Sequence, residues 1–306
     1  HSDTESLLAC IEAWGVDETL KRSVGMFALA LWDGRERALW LARDRIGEKP
    51  LYYGWQGDTF LFGSELKALR AHPTFQTAVD RGALALLLRH NFVPGPYSIY
   101  QGIHKLPPGT WMKLGAGQRD VQPVRYWSLA EVAERGAANP FTGSDVEALD
   151  ALERVIGNAV RGQMMADVPL GAMLSGGIDS TLVTALMQAR SSRPVRTFTI
   201  GFHEKQYNEA EIAKSVAKHL GTEHTEMYVT GEDALNVIPQ LPALYDEPFA
   251  DYSQIPTHLV CKMAKQHVTV ALSGDAGDEL FGGYERYAMG RSLHSKFAWM
   301  PPALKK

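Results

Sequence analysis

The sequence predicts two domains: a region of antiparallel sheet and α+β character, followed by an α/β domain built on a doubly wound parallel sheet. Three observations carry that expectation. Between residues 26 and 63, short apolar runs are separated by two- and three-residue turns, the pattern of successive hairpins. Beyond residue 145, strand-like and helix-like segments alternate, as βαβ crossovers require. Two of the later strands also end alike, in Leu174-Ser175-Gly176 and Leu272-Ser273-Gly274, each followed by small and acidic residues. In a doubly wound sheet both endings would open on one crevice beyond the carboxyl ends of the strands. The length of 306 residues, about twice a typical domain, fits two domains.

Residues 5–14 space apolar groups at helical period and stop at Gly15, with Asp3 just ahead of the helix. Residues 26–32 and 38–43 form a hairpin around Asp33-Gly34, and residues 51–55 and 59–63 form another around Gln56-Gly57-Asp58. The charged run Arg43-Asp44-Arg45-Ile46-Gly47-Glu48-Lys49-Pro50 between them fits a solvated connector with local ion pairs. Ser64-Glu65-Leu66-Lys67-Ala68-Leu69 reads as a short helix with a good N-cap in its leading serine, and residues 80–90 form a Leu-rich helix. A short strand region ends near Trp111-Met112-Lys113-Leu114. From there to Ser144 the pattern dissolves into Gly, Pro, Ala and polar residues, which sets the domains at 1–127 and 145–306 with a linker over 128–144.

In the second domain, helices are expected over 145–165, 179–190, 209–220, 232–244 and 254–266. Strands are expected over 168–174, 195–201, 224–229 and 267–272.

Composition narrows the function. With 45% hydrophobic and 22% charged residues the chain reads as a soluble globular protein. A formal net charge of -4, with signs interspersed, supplies no basic field for nucleic acid. No run approaches the roughly 20 apolar residues of a membrane span, so a cytoplasmic location is expected. The two cysteines, Cys10 and Cys261, have no metal-binding spacing and read as small buried hydrophobes.

The chemistry lies in the loops. Gly176 and Gly177 sit at a strand-to-helix turn, where a backbone without Cβ atoms approaches an anion and the first helical N–H groups point at it. Ser175 and Ser180 add hydroxyls, and Asp179 adds a carboxylate for the Mg²⁺ that a polyphosphate carries. No lysine follows, unlike the loop of ordinary NTPases, so the pattern suits a departing pyrophosphate with chemistry at the α-phosphate. Alone, this hexapeptide also fits a glycine turn capped by serine with nothing bound, the weaker of the two readings. The second loop, with Asp275 as a general base toward an amine nucleophile and Asp278 as a second metal carboxylate, favours a ligand site. Met173 and Ile200 suit either an adenine face or plain core.

Ser175-Gly176-Gly177-Ile178-Asp179-Ser180 resembles the pyrophosphate loop of the ATP pyrophosphatase superfamily. Paired with Ser273-Gly274-Asp275-Ala276-Gly277-Asp278-Glu279-Leu280-Phe281-Gly282-Gly283-Tyr284, it is similar to the glutamine-hydrolysing asparagine synthetase family. Asp246-Glu247-Pro248-Phe249-Ala250-Asp251 with Ser253, the stretch from Arg43 to Tyr53, and Ser64 to Leu69 match as well, in the same order.

The resemblance implies an adenine nucleotide alpha-hydrolase-like synthetase domain behind part of an N-terminal-nucleophile glutaminase sandwich. It implies that aspartate, ATP and glutamine (or ammonia) give asparagine, AMP, pyrophosphate and glutamate. Ser175, Gly176, Gly177, Asp179 and Ser180 would hold pyrophosphate, and Met173, Ile200, Ser273 and Gly274 would contact adenosine. Asp179 and Asp278 would hold Mg²⁺, and Asp3 would bind the amino group of glutamine. Asp275 stands where the family carries a glutamate that deprotonates ammonia. The expected partners are these small molecules, with neither nucleic acid nor membrane and with a homodimer compatible with the family.

The chain starts at His1 without an initiator Met and stops soon after Trp299. It reads as a piece of a longer protein, lacking the family's N-terminal cysteine and expected not to hydrolyse glutamine itself. Two other readings stand beside synthesis of asparagine. One is the same scaffold serving another carboxylate, in the manner of a β-lactam synthetase or a surface-sugar amidotransferase. The other is a non-catalytic ATP-binding piece.

Overall fold

The structure, a computed structural model, describes residues 2–203 and 208–300. Its contacts divide them into two units: residues up to 142 together with 239–251, and residues 143–238 together with those from 252 on.

The first unit begins with α1 (Asp3–Trp14), capped by the Ser2 hydroxyl, which accepts from the Glu5 amide at 3.3 Å. Asp3 is therefore the first residue of the helix and not, as expected, outside it. Gly15, at φ +79°, turns the chain directly into α2 (Val16–Arg22). Strands β1 (Ala28–Asp33) and β2 (Ala38–Arg43) pair as expected, as do β3 (Tyr52–Gln56) and β4 (Thr59–Gly63). Then come α3 (Leu66–Arg70), α4 (Arg81–His90), β5 (Ile103–Lys105), β6 (Thr110–Gly115), β7 (Val124–Arg125) and α5 (Leu129–Ala138). The strands form two antiparallel sheets, ordered β1-β2-β6-β7 and β4-β3-β5.

The period of two in strand side chains stacks this unit into layers. Ala42 faces Val16 and Leu20 of α2, whereas its neighbour Leu41 packs with Met112, Leu51, Leu106 and, from the other sheet, Tyr53 and Phe60. Tyr52 points the opposite way from Tyr53, toward Leu66 and Leu69 of α3 and Ala83 of α4. Helix, sheet, sheet and helix thus follow one another.

Three local expectations are corrected. The charged run after β2 is not a solvated connector. Asp44 has no solvent exposure; its Oδ1 accepts from the Gly47 and Glu48 amides at 2.7 and 2.9 Å and its Oδ2 from the Phe27 and Lys49 amides at 3.2 and 2.9 Å. Arg43 is its counterpart, donating to the carbonyls of Lys49, Leu106 and Gly47 at 2.8, 2.9 and 2.6 Å. Burial pulls down the Arg43 guanidinium pKa, and the Asp44 charge partly offsets this.

Ser64 does not cap α3. Glu65 occupies the cap position without a side-chain bond, and the Asp246 carboxylate accepts from the Leu66 and Lys67 amides at 2.7 and 3.2 Å. Glu247 beside it accepts from the Ile99 amide at 2.7 Å and pairs with Lys105 at 2.5 Å. The stretch read as linker contains α5, capped by Ser128.

The second unit opens with α6 (Asp145–Gln163), whose Ser144 and Glu147 form a capping box. Then follow β8 (Leu170–Met173), α7 (Ile178–Gln188), β9 (Arg196–Phe202), α8 (Ala210–Leu220), β10 (Glu223–Val229) and α9 (Gly231–Val237). The helix expected over 232–244 is broken. A 3₁₀ turn at Ile238–Gln240 separates α9 from the four-residue α10 (Leu241–Leu244), which belongs to the first unit, because Pro239 and Pro242 withhold amide donors.

Helix α11 (Gln254–Ala264), β11 (Val270–Leu272), α12 (Gly277–Phe281) and α13 (Glu285–Lys296) complete the unit. Its sheet is parallel throughout, ordered β10-β9-β8-β11. Ala172 and Leu272 pack with Val160 of α6 and Leu186 and Met187 of α7, while Met173 and Phe198 pack with Met263 and Ala264 of α11. Helices therefore cover both faces, as a parallel sheet needs. Neither cysteine is buried as expected: Cys10 is partly exposed and Cys261 exposed.

Candidate active site

Strands β8 and β11 are direct neighbours, with Ala172 opposite Leu272, so the loops that follow them leave the same sheet edge side by side. Each loop turns into a helix, α7 after the first and α12 after the second.

The first loop is held by its own hydroxyls. The Ser175 and Ser180 Oγ atoms lie 3.0 Å apart; Ser180 Oγ donates to the Gly177 carbonyl and accepts from the Ser175 amide, and Gly177 N–H donates to Ser175 Oγ at 3.3 Å. Gly176 adopts φ +82°, and a Cβ there would come within 2.8 Å of the Ile212 side chain on α8, so glycine is required for conformation and space. Gly177 caps α7 without a side-chain hydrogen bond, so that among the described residues no side chain caps the first-turn amides at the positive end of the helix. Ser180 is buried, Asp179 half-buried, and Ser175 and Gly177 exposed.

In the second loop Ser273 Oγ donates to Asp275 Oδ2 at 2.9 Å and the Gly277 amide donates to the Gly274 carbonyl at 3.2 Å. Ala276 sits at φ +70°, a left-handed conformation that costs a non-glycine residue about 1 kcal/mol. The loop lies against the first. A Cβ on Gly274 would come within 2.6 Å of the Ser180 amide, and one on Gly277 would overlap the Asp179 carboxylate. Asp275 is near enough to Cys261 on α11 that its charge, after burial, raises the thiol pKa.

The structure thus brings together Ser175, Gly176, Gly177, Asp179, Ser180, Ser273, Gly274, Asp275 and Asp278 at adjoining loops. Met173 and Ile200 are partly buried in the Phe198–Met263 cluster beneath. Asp3 belongs to the first unit, exposed and, among the described residues, accepting only from Thr4 on its own helix. Cavities of about 460 Å³ beside Trp127 and about 500 Å³ beside Trp55 lie in the first unit, and neither is lined by a residue of the two Leu-Ser-Gly loops.

Among the described residues no three or more His, Cys, Asp or Glu side chains gather as a metal site. A Mg²⁺ that arrives on phosphates needs only one or two carboxylates from the protein. Asp179 and Asp278 meet that requirement: both are hard oxygen donors, and each faces a glycine whose missing Cβ leaves its carboxylate room.

Sequence reasoning missed the anchor beneath the first loop. The Thr199 hydroxyl on β9, almost fully buried, donates to the Leu174 carbonyl, and the Leu174 amide donates to the Phe198 carbonyl at 2.9 Å. Thr197 and Thr199 at alternate positions of a strand that is otherwise apolar beyond Arg196 were the available signal.

Comparison with known proteins finds relatives along nearly the whole chain. Residues 151–306 match the asparagine synthase family and residues 1–127 the glutamine amidotransferase domain. A putative glutamine-hydrolysing asparagine synthetase 2 of Methanocaldococcus jannaschii is 35% identical over 94% of this chain and 55% of its own length. Glutamine-hydrolysing asparagine synthetase 1 of Bacillus subtilis is 34% identical over 100% of this chain and 46% of its own. The human glutamine-hydrolysing enzyme is 28% identical over 92% and 50%. The chain spans about half the length of the curated relatives it matches.

Proposed function

Because this chain belongs to the asparagine synthase family, we propose that its protein activates the side-chain carboxylate of aspartate with ATP and transfers ammonia from glutamine to it. One aspartate oxygen attacks the α-phosphorus and pyrophosphate leaves. Ammonia then adds to the acyl carbon, loses a proton, and expels AMP to give asparagine. The observation that carries this reading is the pair of Leu-Ser-Gly loops on adjacent parallel strands, with the second packed onto Asp179 and Ser180 of the first.

In this reading the Ser175 and Ser180 hydroxyls and the first amides of α7 hold the departing pyrophosphate, whose charge suits a helix N-terminus. Ser273 and Gly274, above Met173 and Ile200, bound the adenosine end. Asp179 and Asp278 would hold Mg²⁺, which neutralises phosphate charge when bound. Asp275 takes the proton from the incoming amine, and Asp3 binds the glutamine amino group. An adenine nucleotide alpha-hydrolase-like fold is the matching architecture for the second unit.

The test is product analysis with the full-length protein: aspartate-dependent formation of equal AMP and asparagine. Pyrophosphate release with another carboxylate, and none with aspartate, would sink the acceptor assignment. One observation favours that second reading. Asp275 is a methylene shorter than glutamate and is tied back to Ser273, which suits an acceptor other than aspartate on the same scaffold.

A further inference from the structure

We propose that Gly277 and Gly283 are positioning residues for Asp179 and Asp278, each fixing a carboxylate by presenting a bare Cα where any side chain would collide with it. The proposal rests on the nucleotide reading of the site. A Cβ on Gly277 would overlap the Asp179 carboxylate, with Oδ1 at 2.8 Å and the other carboxyl atoms closer. A Cβ on Gly283 would overlap Asp278 Oδ1 and come within 3.1 Å of its Cγ.

Backbone conformation does not explain either glycine. Neither Gly277 nor Gly283 has a φ in the left-handed region. Between Ser273 and Gly283 that region is taken by Ala276, at φ +70°, and by Gly282, at φ +71°. Gly282 answers to its main chain, whereas at 277 and 283 glycine stands where a neighbouring carboxylate needs space.

Contact is also what remains to orient these side chains. Among the described residues neither carboxylate is held by an ion pair or by a side-chain hydrogen bond. Asp179 stands in the first turn of α7 and Asp278 in the first turn of α12, one residue after Gly277. The glycine that bounds the first carboxylate thus adjoins the second along the chain. The Gly283 amide completes the arrangement by donating to the Asp278 carbonyl at 3.0 Å, which pins residue 283 over the side chain it bounds.

Calorimetric titration of the whole chain with ATP, in EDTA and in Mg²⁺, tests this. In Gly277→Ala the metal-free affinity should stay within about twofold of the unsubstituted protein, while the gain from Mg²⁺ falls about tenfold or more, the loss expected when support to a metal ligand is removed. Gly290→Ala, whose Cβ would meet nothing within 4 Å, should change neither. On an Asp179→Asn background Gly277→Ala should add nothing, because its effect runs through that carboxylate.

An unchanged Mg²⁺ gain in Gly277→Ala, or a full additional loss on the Asp179→Asn background, overturns the proposal. If Gly277→Ala does not fold, Gly283→Ala against Asp278→Asn carries the same comparison with the same expected and refuting results. Failure of the unsubstituted chain to bind ATP at all would instead overturn the nucleotide reading, and the proposal with it.

Discussion

Replacing Asp44 by asparagine isolates how much of the first unit hangs on one buried carboxylate. Four backbone amides, those of Phe27, Gly47, Glu48 and Lys49, donate to its two oxygens. Whichever way the new amide is turned, one oxygen becomes an NH₂ group, and two of the four donors face another donor. A buried donor without an acceptor costs about 1–3 kcal/mol, so two cost about 2–6. Taking about 1.5 kcal/mol for each of the two donors leaves about 3 kcal/mol. For a unit of this size the melting midpoint should fall by roughly 6–12 °C, at about 2–4 °C per kcal/mol. Tryptophan fluorescence is the suitable probe, because Trp14, Trp32, Trp40, Trp55, Trp111 and Trp127 all lie in the first unit and only Trp299 in the second. A midpoint within about 2 °C of the parent would refute the reasoning, since even one orphaned donor should exceed that.

Lys105→Met and Glu247→Gln should each destabilise the first unit by about 3 kcal/mol, because each strands the other partner of a largely buried pair, and the double substitution should cost clearly less than the sum in urea melts. Thr199→Val keeps the side-chain shape but leaves the Leu174 carbonyl without its buried donor, so the second unit should lose about 1–3 kcal/mol by circular dichroism and ATP should bind more weakly. Acid should weaken the second unit through His224, whose pKa is pulled below its ordinary 6.5 by burial, against the opposing charge of Glu226. The unfolded chain then binds the proton more readily, so stability is full above about pH 6.5 and falls as pH drops from there toward the folded value. His224→Gln should flatten that slope in unfolding measured between pH 7.5 and 5.

The parallel sheet and both loops were legible because each rests on local signals: apolar runs of strand length, helical periodicity, and glycine beside serine at strand ends. What stayed hidden depends on residues far apart in sequence. Asp246 caps a helix 180 residues before it, and no pattern near Ser64 shows that the local serine is idle. The four donors around Asp44 make a run of charges part of the interior, where composition alone suggested solvent. Gly277 reads as one more loop glycine until Asp179 is seen against it. Helix α5 was lost among glycines and prolines although Ser128 and Glu131 mark its start. The breaks at Pro239 and Pro242 were legible but were overridden by the apolar period around them.

The placement of residues 239–251 within the first unit bears on how this chain is made. A ribosome delivers residues in order, and domains ordinarily close as they emerge. Here the carboxylates that cap α3 and pair with Lys105 are translated after most of the second unit. The nascent first unit must therefore wait with the Leu66 and Lys67 amides open and a cation half-buried, and it reaches its final stability only once Asp246 and Glu247 have cleared the exit tunnel.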